Sequence, residues 1–325
     1  MLQLLLGGSG SGKTTLLYQR IRARAEKGEK SILLVPEQFT SSTEGRIYRE
    51  LGDALSGMVE SFSFTSLAEK ILSTEGGAAV QTLSDAGRAV LVRRALEELQ
   101  DNVHYYHRHR RSAAFCQMAA QTIDELKSAG LSGQQLAQLA GACGAESGKL
   151  SELALIFQGY ETLLARSGMD PSDRLELAGA RLEEALARHS LPEFLRDRAV
   201  FIDEFDTFNA PKKRLLGAML AALPSVTVAL CDDGAPLLPG DLSLFSGAKQ
   251  VAAQLRQLAR KNGAEVAVPQ LLRKDLRHRN APGLAAVAEL LETGSCTADA
   301  PAGEVRLFAA PSREEEARAA AGAIR

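Results

Sequence analysis

Met1-Leu2-Gln3-Leu4-Leu5-Leu6-Gly7-Gly8-Ser9-Gly10-Ser11-Gly12-Lys13-Thr14-Thr15 opens the chain. Leu2, Leu4, Leu5 and Leu6 form a short apolar run that stops abruptly at glycine. Such a run reads as a buried parallel strand. Gly7-x-x-x-x-Gly12-Lys13-Thr14 meets every fixed position of the P-loop spacing G-x-x-x-x-G-K-[ST]. The pattern has a physical reason. Glycines let the backbone curl until its N–H groups point inward and cradle phosphate oxygens. A helix starting near Gly12 brings its positive end to the same place. Lys13 reaches the outer phosphates, and the Thr14 hydroxyl is placed to ligate Mg²⁺. The competing reading is a glycine-rich turn with an incidental lysine. The strand before the loop and the helix-forming Leu16-Leu17-Tyr18 after it argue against that. Gly7, Gly8, Ser9, Gly10, Ser11, Gly12, Lys13, Thr14 and Thr15 are therefore the expected nucleotide-binding stretch, with ATP and Mg²⁺ as the expected ligands.

The chain has 325 residues, enough for one large or two to three ordinary domains. Hydrophobic residues make up 45%, which supports a sizeable core. A net charge of −2 excludes a globally basic nucleic-acid binder but not a local basic groove. Alanine is abundant and Trp is absent, so much of the chain should be helical. The four cysteines, Cys116, Cys143, Cys231 and Cys296, are scattered without a C-x-x-C pair. That disfavours a zinc site and fits a reducing, cytoplasmic setting. No apolar run reaches transmembrane length, so no membrane partner is expected. With a strand at the very start, no signal peptide is expected. The pattern Glu314–Arg325 is a helix that stops without a cap, so a longer parent protein is expected.

Read in order, Ser31-Ile32-Leu33-Leu34-Val35 is a second buried strand closed by Pro36. With the first strand and the helix between, it makes a βαβ unit of expected right-handed crossover. Pro36–Glu44 opens a helix with hydroxyl and acidic residues. Val59–Phe64 alternates like a third strand, and Ser66–Leu72 follows as a helix. From about 80 to 190 the texture changes. Ala89, Val92, Leu96 and Leu99, then Phe115, Ala119, Ile123 and Leu126, then Leu150, Leu153, Phe157, Tyr160 and Leu164 repeat at helical spacing with no strand between. Strands return at Ala199–Ile202, before Asp203-Glu204, and at Val226–Leu230, before Cys231-Asp232-Asp233. Acids at those strand ends should meet the glycine loop, where open α/β sheets bind ligands. Glu265–Val268 reads as an edge strand, Pro301-Ala302-Gly303 as a linker, and Glu304–Phe308 as the first strand of a new domain.

The fold expected is α/β: a P-loop NTPase (RecA-like) parallel sheet with an inserted all-helical subdomain. Residues 1–79 and 190–300 would form the sheet domain, 80–189 the insertion, and 303–325 the start of a second domain. Asp203 suits the second Mg²⁺ contact beside Thr14, and Glu204 suits activation of an attacking water. His104–Arg111 is either a solvated loop or a stretch that grips phosphates and stacks on bases. Lys212-Lys213-Arg214 reads as a solvated helix face.

Ile202-Asp203-Glu204-Phe205-Asp206-Thr207-Phe208-Asn209 resembles the second motif, D-E-[FY]-Q-D-[TS]-N, of UvrD-like superfamily 1 DNA helicases. Ser31–Arg46, Ser61-Phe62-Ser63-Phe64…Ile71-Leu72 and Tyr160…Asp170-Pro171-Ser172-Asp173 resemble their other motifs, in the same order. The departures are informative. No glutamine motif precedes the first strand, Asp206 stands where glutamine is usual, and Cys231–Pro236 lacks the glutamine of G-D-x-x-Q. The turn Leu33–Thr40 is similar to the opening of the AddB (RexB-like) subunits of bacterial AddAB helicase–nucleases. That resemblance implies an accessory protein that processes double-strand DNA ends for recombinational repair, with an AddA-type partner. It implies contact with single- and double-stranded DNA and the scanning of single strands for a regulatory sequence. It places DNA contacts at Ser41 and Thr43, where helix capping is the competing role, and at Ser61, Phe62, Ser63 and Phe64. An iron–sulfur cluster would belong only to a region beyond residue 325. A truncated working helicase and a nucleotide switch without DNA binding remain the alternatives.

Overall fold

The computed structural model describes residues 1–77, 81–144, 147–295 and 305–324. Six strands form one sheet: β1 (Leu2–Gly7), β2 (Ser31–Leu34), β3 (Val59–Phe62), β4 (Ala199–Ile202), β5 (Ser225–Cys231) and β6 (Gln270–Leu272). Their order is β3-β2-β4-β5-β1-β6, and every pairing is parallel. β2 and β4 are buried at every position, as expected of parallel strands covered on both faces. β1 and β2 are not neighbours. β4 and β5, from after the helical region, lie between them.

The helices are α1 (Lys13–Ala25), α2 (Thr40–Leu51), α3 (Asp53–Ser56), α4 (Phe64–Glu75), α5 (Asp85–Glu98), α6 (Ala113–Ser128), α7 (Gly133–Ala140), α8 (Ser147–Ser167), α9 (Pro171–Ala187), α10 (Ala210–Ala222), α11 (Ser246–Lys261), α12 (Pro282–Thr293) and α13 (Arg313–Ile324). Strand side chains alternate between two cores. Leu4, Leu6, Ile32, Leu34, Val200 and Ile202 pack with α4, α9, α10 and α11. Leu5, Leu33, Phe201 and Ala229 face Leu17, Tyr18 and Ile21 of α1 and Ile47 of α2. A separate core joins Val92 and Leu96 of α5, Ile123 of α6, Leu136 of α7, and Phe157 and Tyr160 of α8. Each such fully buried large apolar side chain contributes about 1.5–3 kcal/mol.

α9 lies within the range 80–189 but does not pack with that second core. Its Leu175, Ala178 and Leu182 belong to the sheet core. Arg174 Nε also donates to Glu69 Oε1 of α4 at 2.5 Å. Sequence periodicity identifies the apolar face of α9 but not its partner.

Three strand expectations are corrected. The third strand stops at Phe62, because Ser63 caps α4 and Phe64 opens it. Glu265–Val268 makes a single bridge, Leu2↔Val266, and the edge strand is Gln270–Leu272. Pro269 between them has no N–H, so it cannot continue the ladder. Val305–Phe308 is not a strand, and Leu307 is fully exposed. Among the described residues it has no strand to pair with. The expected linker Pro301–Gly303, Glu304, Cys296 and the boundary at 79–80 lie outside the described residues.

Candidate nucleotide-binding cleft

Register levels the strand ends. Gly7 pairs with Cys231, Leu34 with Ile202, and Ile202 with Val228. The residues following β1, β4 and β5 therefore emerge along one edge. The ladder continues a step past the strands: the Asp232 N–H donates to Gly7 O at 3.3 Å, and the Asp203 N–H to Leu34 O at 3.1 Å. Gly10 (φ 81°) and Gly12 (φ 89°) hold the left-handed backbone that turns the chain into α1. At Gly7 a Cβ would lie 2.4 Å from Ser11 Oγ, so only glycine fits under the loop.

α1 begins at Lys13, so its first N–H groups lack intrahelical acceptors and face the cleft. Lys13 Nζ folds back and donates to Gly7 O and Gly8 O, both at 2.8 Å. Thr14 and Asp203 line the same cleft. Asp203 is 6% exposed and accepts the Glu204 N–H at 3.0 Å. Burial pushes the Asp203 carboxyl above its ordinary range, more than the Thr14 hydroxyl and Lys13 pull it down. Glu204 sits at φ 63°, a left-handed conformation costing a non-glycine residue about 1–3 kcal/mol. That turn exposes the Glu204 side chain beside Asp203.

These groups border a cleft of about 600 Å³, lined also by Ser9, Thr15, Arg46, Asp206, Cys231 and Arg277. Asp232 reaches the same edge but is committed to its own turn, accepting the Gly234 N–H at 2.7 Å. Sequence reasoning missed several neighbours. Arg46 of α2 stacks 4.8 Å over the Tyr18 ring, and burial pushes that phenol up to about 12. Arg277 donates to Ser9 Oγ at 3.1 Å, and the Leu276 N–H donates to Gly10 O at 3.0 Å. A Cβ at Gly8 would lie 2.6 Å from Glu292 Oε1 of α12. None of these has a motif-like spacing; the fold alone brings them to the loop.

The six expected DNA contacts fare differently. Ser41 is exposed and Thr43 is buried. Ser63 caps α4 in a reciprocal capping box with Ser66. Phe64 is 2% exposed, edge-on to Phe205 at 5.2 Å and Phe208 at 6.0 Å. Ser61 and Phe62 are half-buried. In this conformation Ser41 and Ser61 offer the accessible hydroxyls. The Lys212 ammonium lies 5.7 Å over Phe64, while Arg214 pairs with Glu176 and Glu183 at 2.9 Å each.

A parallel α/β sheet with a glycine-rich loop and a buried acid at adjoining strand ends defines a protein built to place ligand chemistry at its C-terminal sheet edge. The family model described as ADDB, N-terminal, matches residues 4–288, and the chain belongs to that family. It is 34% identical over 336 residues to the B subunit of an ATP-dependent helicase/deoxyribonuclease from Desulforudis audaxviator, covering 99% of this chain and 28% of that protein. It is 32% identical over 347 residues to the counterpart from Symbiobacterium thermophilum, covering 99% and 28%. For the Clostridium perfringens counterpart the values are 29% over 283 residues, covering 86% and 24%. The chain thus spans about a quarter of the length of these relatives. Among the described residues no helix is long and apolar enough to cross a membrane.

Proposed function

We propose that this chain is the ATP-binding, DNA-contacting front part of an AddB-type helicase–nuclease component that works on double-strand ends beside an AddA-type partner. The supporting observation is that Thr14 and Asp203 line one cleft. A hydroxyl at the start of α1 and a buried acid after β4 converge on one point. Mg²⁺ favours such hard oxygen donors, taking one or two from protein and the rest from water and phosphate. The residues fit the ion: Asp203 is buried, and its raised carboxyl reflects a charge short of compensation. When bound, Mg²⁺ neutralises charge on the outer phosphates. Lys13 would exchange two carbonyl acceptors for phosphate oxygens, and the N–H groups at the start of α1 would complete the cradle. Glu204, exposed beside Asp203, would accept a proton from attacking water.

In this reading the α5–α8 cluster is the inserted helical lobe, and residues 303–325 lead into a second helicase-like domain. Single-stranded DNA would cross the sheet domain near Ser41 and Ser61, where its regulatory sequence would be scanned. An arginine from a second domain contributes about 10³–10⁵ in rate at comparable sites, so this chain alone should hydrolyse ATP slowly and unwind nothing.

Calorimetry with ATP–Mg²⁺ tests the site. Lys13→Ala should lose about 1.5–3 kcal/mol, the worth of a charge-assisted contact. Unchanged affinity would refute the assignment. Turnover on the order of 10 per second, abolished by Glu204→Gln, would favour a working helicase instead.

A further inference from the structure

The loop joining α5 to α6 carries His104-Tyr105-Tyr106-His107-Arg108-His109-Arg110-Arg111, which the nucleotide cleft does not use. It is held firmly. Glu152 of α8 accepts the N–H groups of His104 and Tyr105 at 2.8 Å and that of Tyr106 at 3.1 Å. Burial pushes the Glu152 carboxyl up, but these three N–H groups outweigh it and hold the carboxyl below its ordinary range. Its charge is thus committed to the backbone of the loop.

The same backbone presents an aromatic ring to solvent. Tyr106 packs 5.4 Å from Phe115, and Tyr105 stands edge-on to Tyr106 at 5.1 Å. Tyr105 stays 55% exposed, with the Lys149 ammonium 5.3 Å from its ring. Around it lie cations. Arg110 turns inward onto the His107 ring at 2.8 Å. Arg108 and Arg111 are exposed, and among the described residues neither has a carboxylate within ion-pair distance. Glu97 and Glu98 of α5 are occupied by Arg93 and Arg94, at 3.0 and 3.1 Å. Asp101 remains as the exposed acid at the start of the loop.

We propose that this loop is a single-stranded DNA contact carried by the helical cluster, where a base stacks on Tyr105 and Arg108 and Arg111 hold neighbouring phosphates. Every base has a face to stack, so the contact should tolerate sequence. A ring already fixed by Glu152 and Tyr106 loses little freedom when a base lands on it. The proposal rests on the DNA-binding reading above but concerns a different surface from Ser41 and Ser61.

Fluorescence anisotropy of the chain with a labelled oligo-dT of about 16 nucleotides tests it, since single-strand sites run up to that size. Tyr105→Ala should weaken binding about tenfold, and Tyr105→Phe should restore it. Arg108→Gln/Arg111→Gln should weaken binding and reduce the slope of log affinity against log salt by about 1.4, two phosphates' worth for a single strand. ATP–Mg²⁺ affinity, measured in parallel, should not move in any of these surface variants. Wild-type affinity and slope in both Tyr105→Ala and the double variant would overturn the proposal while leaving DNA binding elsewhere intact. No binding by the wild-type chain at low salt would overturn both readings. Loss in the arginine variant but not in Tyr105→Ala, with a duplex of equal length bound as tightly, would replace stacking with a backbone-only contact and overturn it.

Discussion

Asp203 and Asp170 are both buried acids, 6% and 1% exposed, and they serve opposite ends. Asp170, before α9, is closed. The Tyr160 hydroxyl donates to it at 2.6 Å, and Lys127 Nζ donates at 2.9 Å. Lys127 also pairs with Asp173 at 2.8 Å. Burial works against the Lys127 ammonium, yet Asp173 and Asp170 lift it above its ordinary range. Burial, reinforced by Asp170, likewise pushes the Tyr160 phenol up. Donors from α6 and α8 thus meet an acid at the start of α9, tying the helical cluster to the sheet side. Asp203 is open. It accepts the Glu204 N–H, but among the described residues no ammonium or guanidinium lies at ion-pair distance. A buried charge already paired serves the fold; one left short of a cation suits a ligand.

The largest test of that contrast is Lys127→Ala. Removing one partner of a buried ion pair typically costs about 3–5 kcal/mol, because the remaining charge is stranded. The urea midpoint should fall accordingly with an unchanged slope. A loss below about 1 kcal/mol, the range of exposed pairs, would erase the distinction.

Asp203→Asn should do the reverse. It removes an uncompensated buried charge, so stability at neutral pH should hold or rise. ATP affinity in Mg²⁺ should drop by about 1.5–3 kcal/mol, a charged ligand's contribution. Calorimetry and urea melts on the same preparation separate the two effects. A variant that lost stability but kept Mg²⁺-dependent affinity would make Asp203 a structural acid like Asp170.

The pH dependence sharpens the point. A carboxyl raised in the folded state favours folding fully below its unfolded value, here 3.8, and that contribution is lost as pH rises through the higher folded value. Wild type should therefore gain stability relative to Asp203→Asn as pH falls through that window. Mg²⁺-dependent nucleotide affinity should fall over the same window, since the ligand must be deprotonated. Parallel melts of the two proteins between neutral pH and that window check the sign, and a constant difference would count against it.

The smallest expected effect is at Glu292, whose carboxylate lies against Gly8. Glu292→Gln should tighten ATP by about 1 kcal/mol, the scale of a solvent-screened charge at 4 Å. Equal affinity in titration calorimetry would mean that the side chain already swings clear.

Much of the fold was legible. The runs at Leu2–Leu6, Ser31–Val35, Ala199–Ile202 and Val226–Leu230 are mostly apolar and are followed by glycine, proline or acids, in the last case after Cys231, which marks buried parallel strands. Gln270–Leu272 was missed because it is short, follows Pro269 and has neither alternation nor a long apolar run. Val305–Phe308 has strand-like residues, but a strand needs a neighbour for its backbone groups. Phe64 and Ser63 show the limit of motif resemblance. Phe64 is drawn into the core by Phe205 and Phe208, and Ser63 is engaged by Ser66.

By itself, the sequence determined what depends on neighbours along the chain. The left-handed turns at Gly10 and Gly12, the start of α1 at Lys13 and the extended apolar strands all follow from local sterics and burial preference. Only the tertiary structure decided that Thr14 meets Asp203, that Arg277 and Glu292 come to the glycine loop, and that α9 packs with the sheet. Those contacts depend on strand order and register. Both are settled by which apolar faces bury each other across the whole chain, a competition among distant partners that no local spacing records.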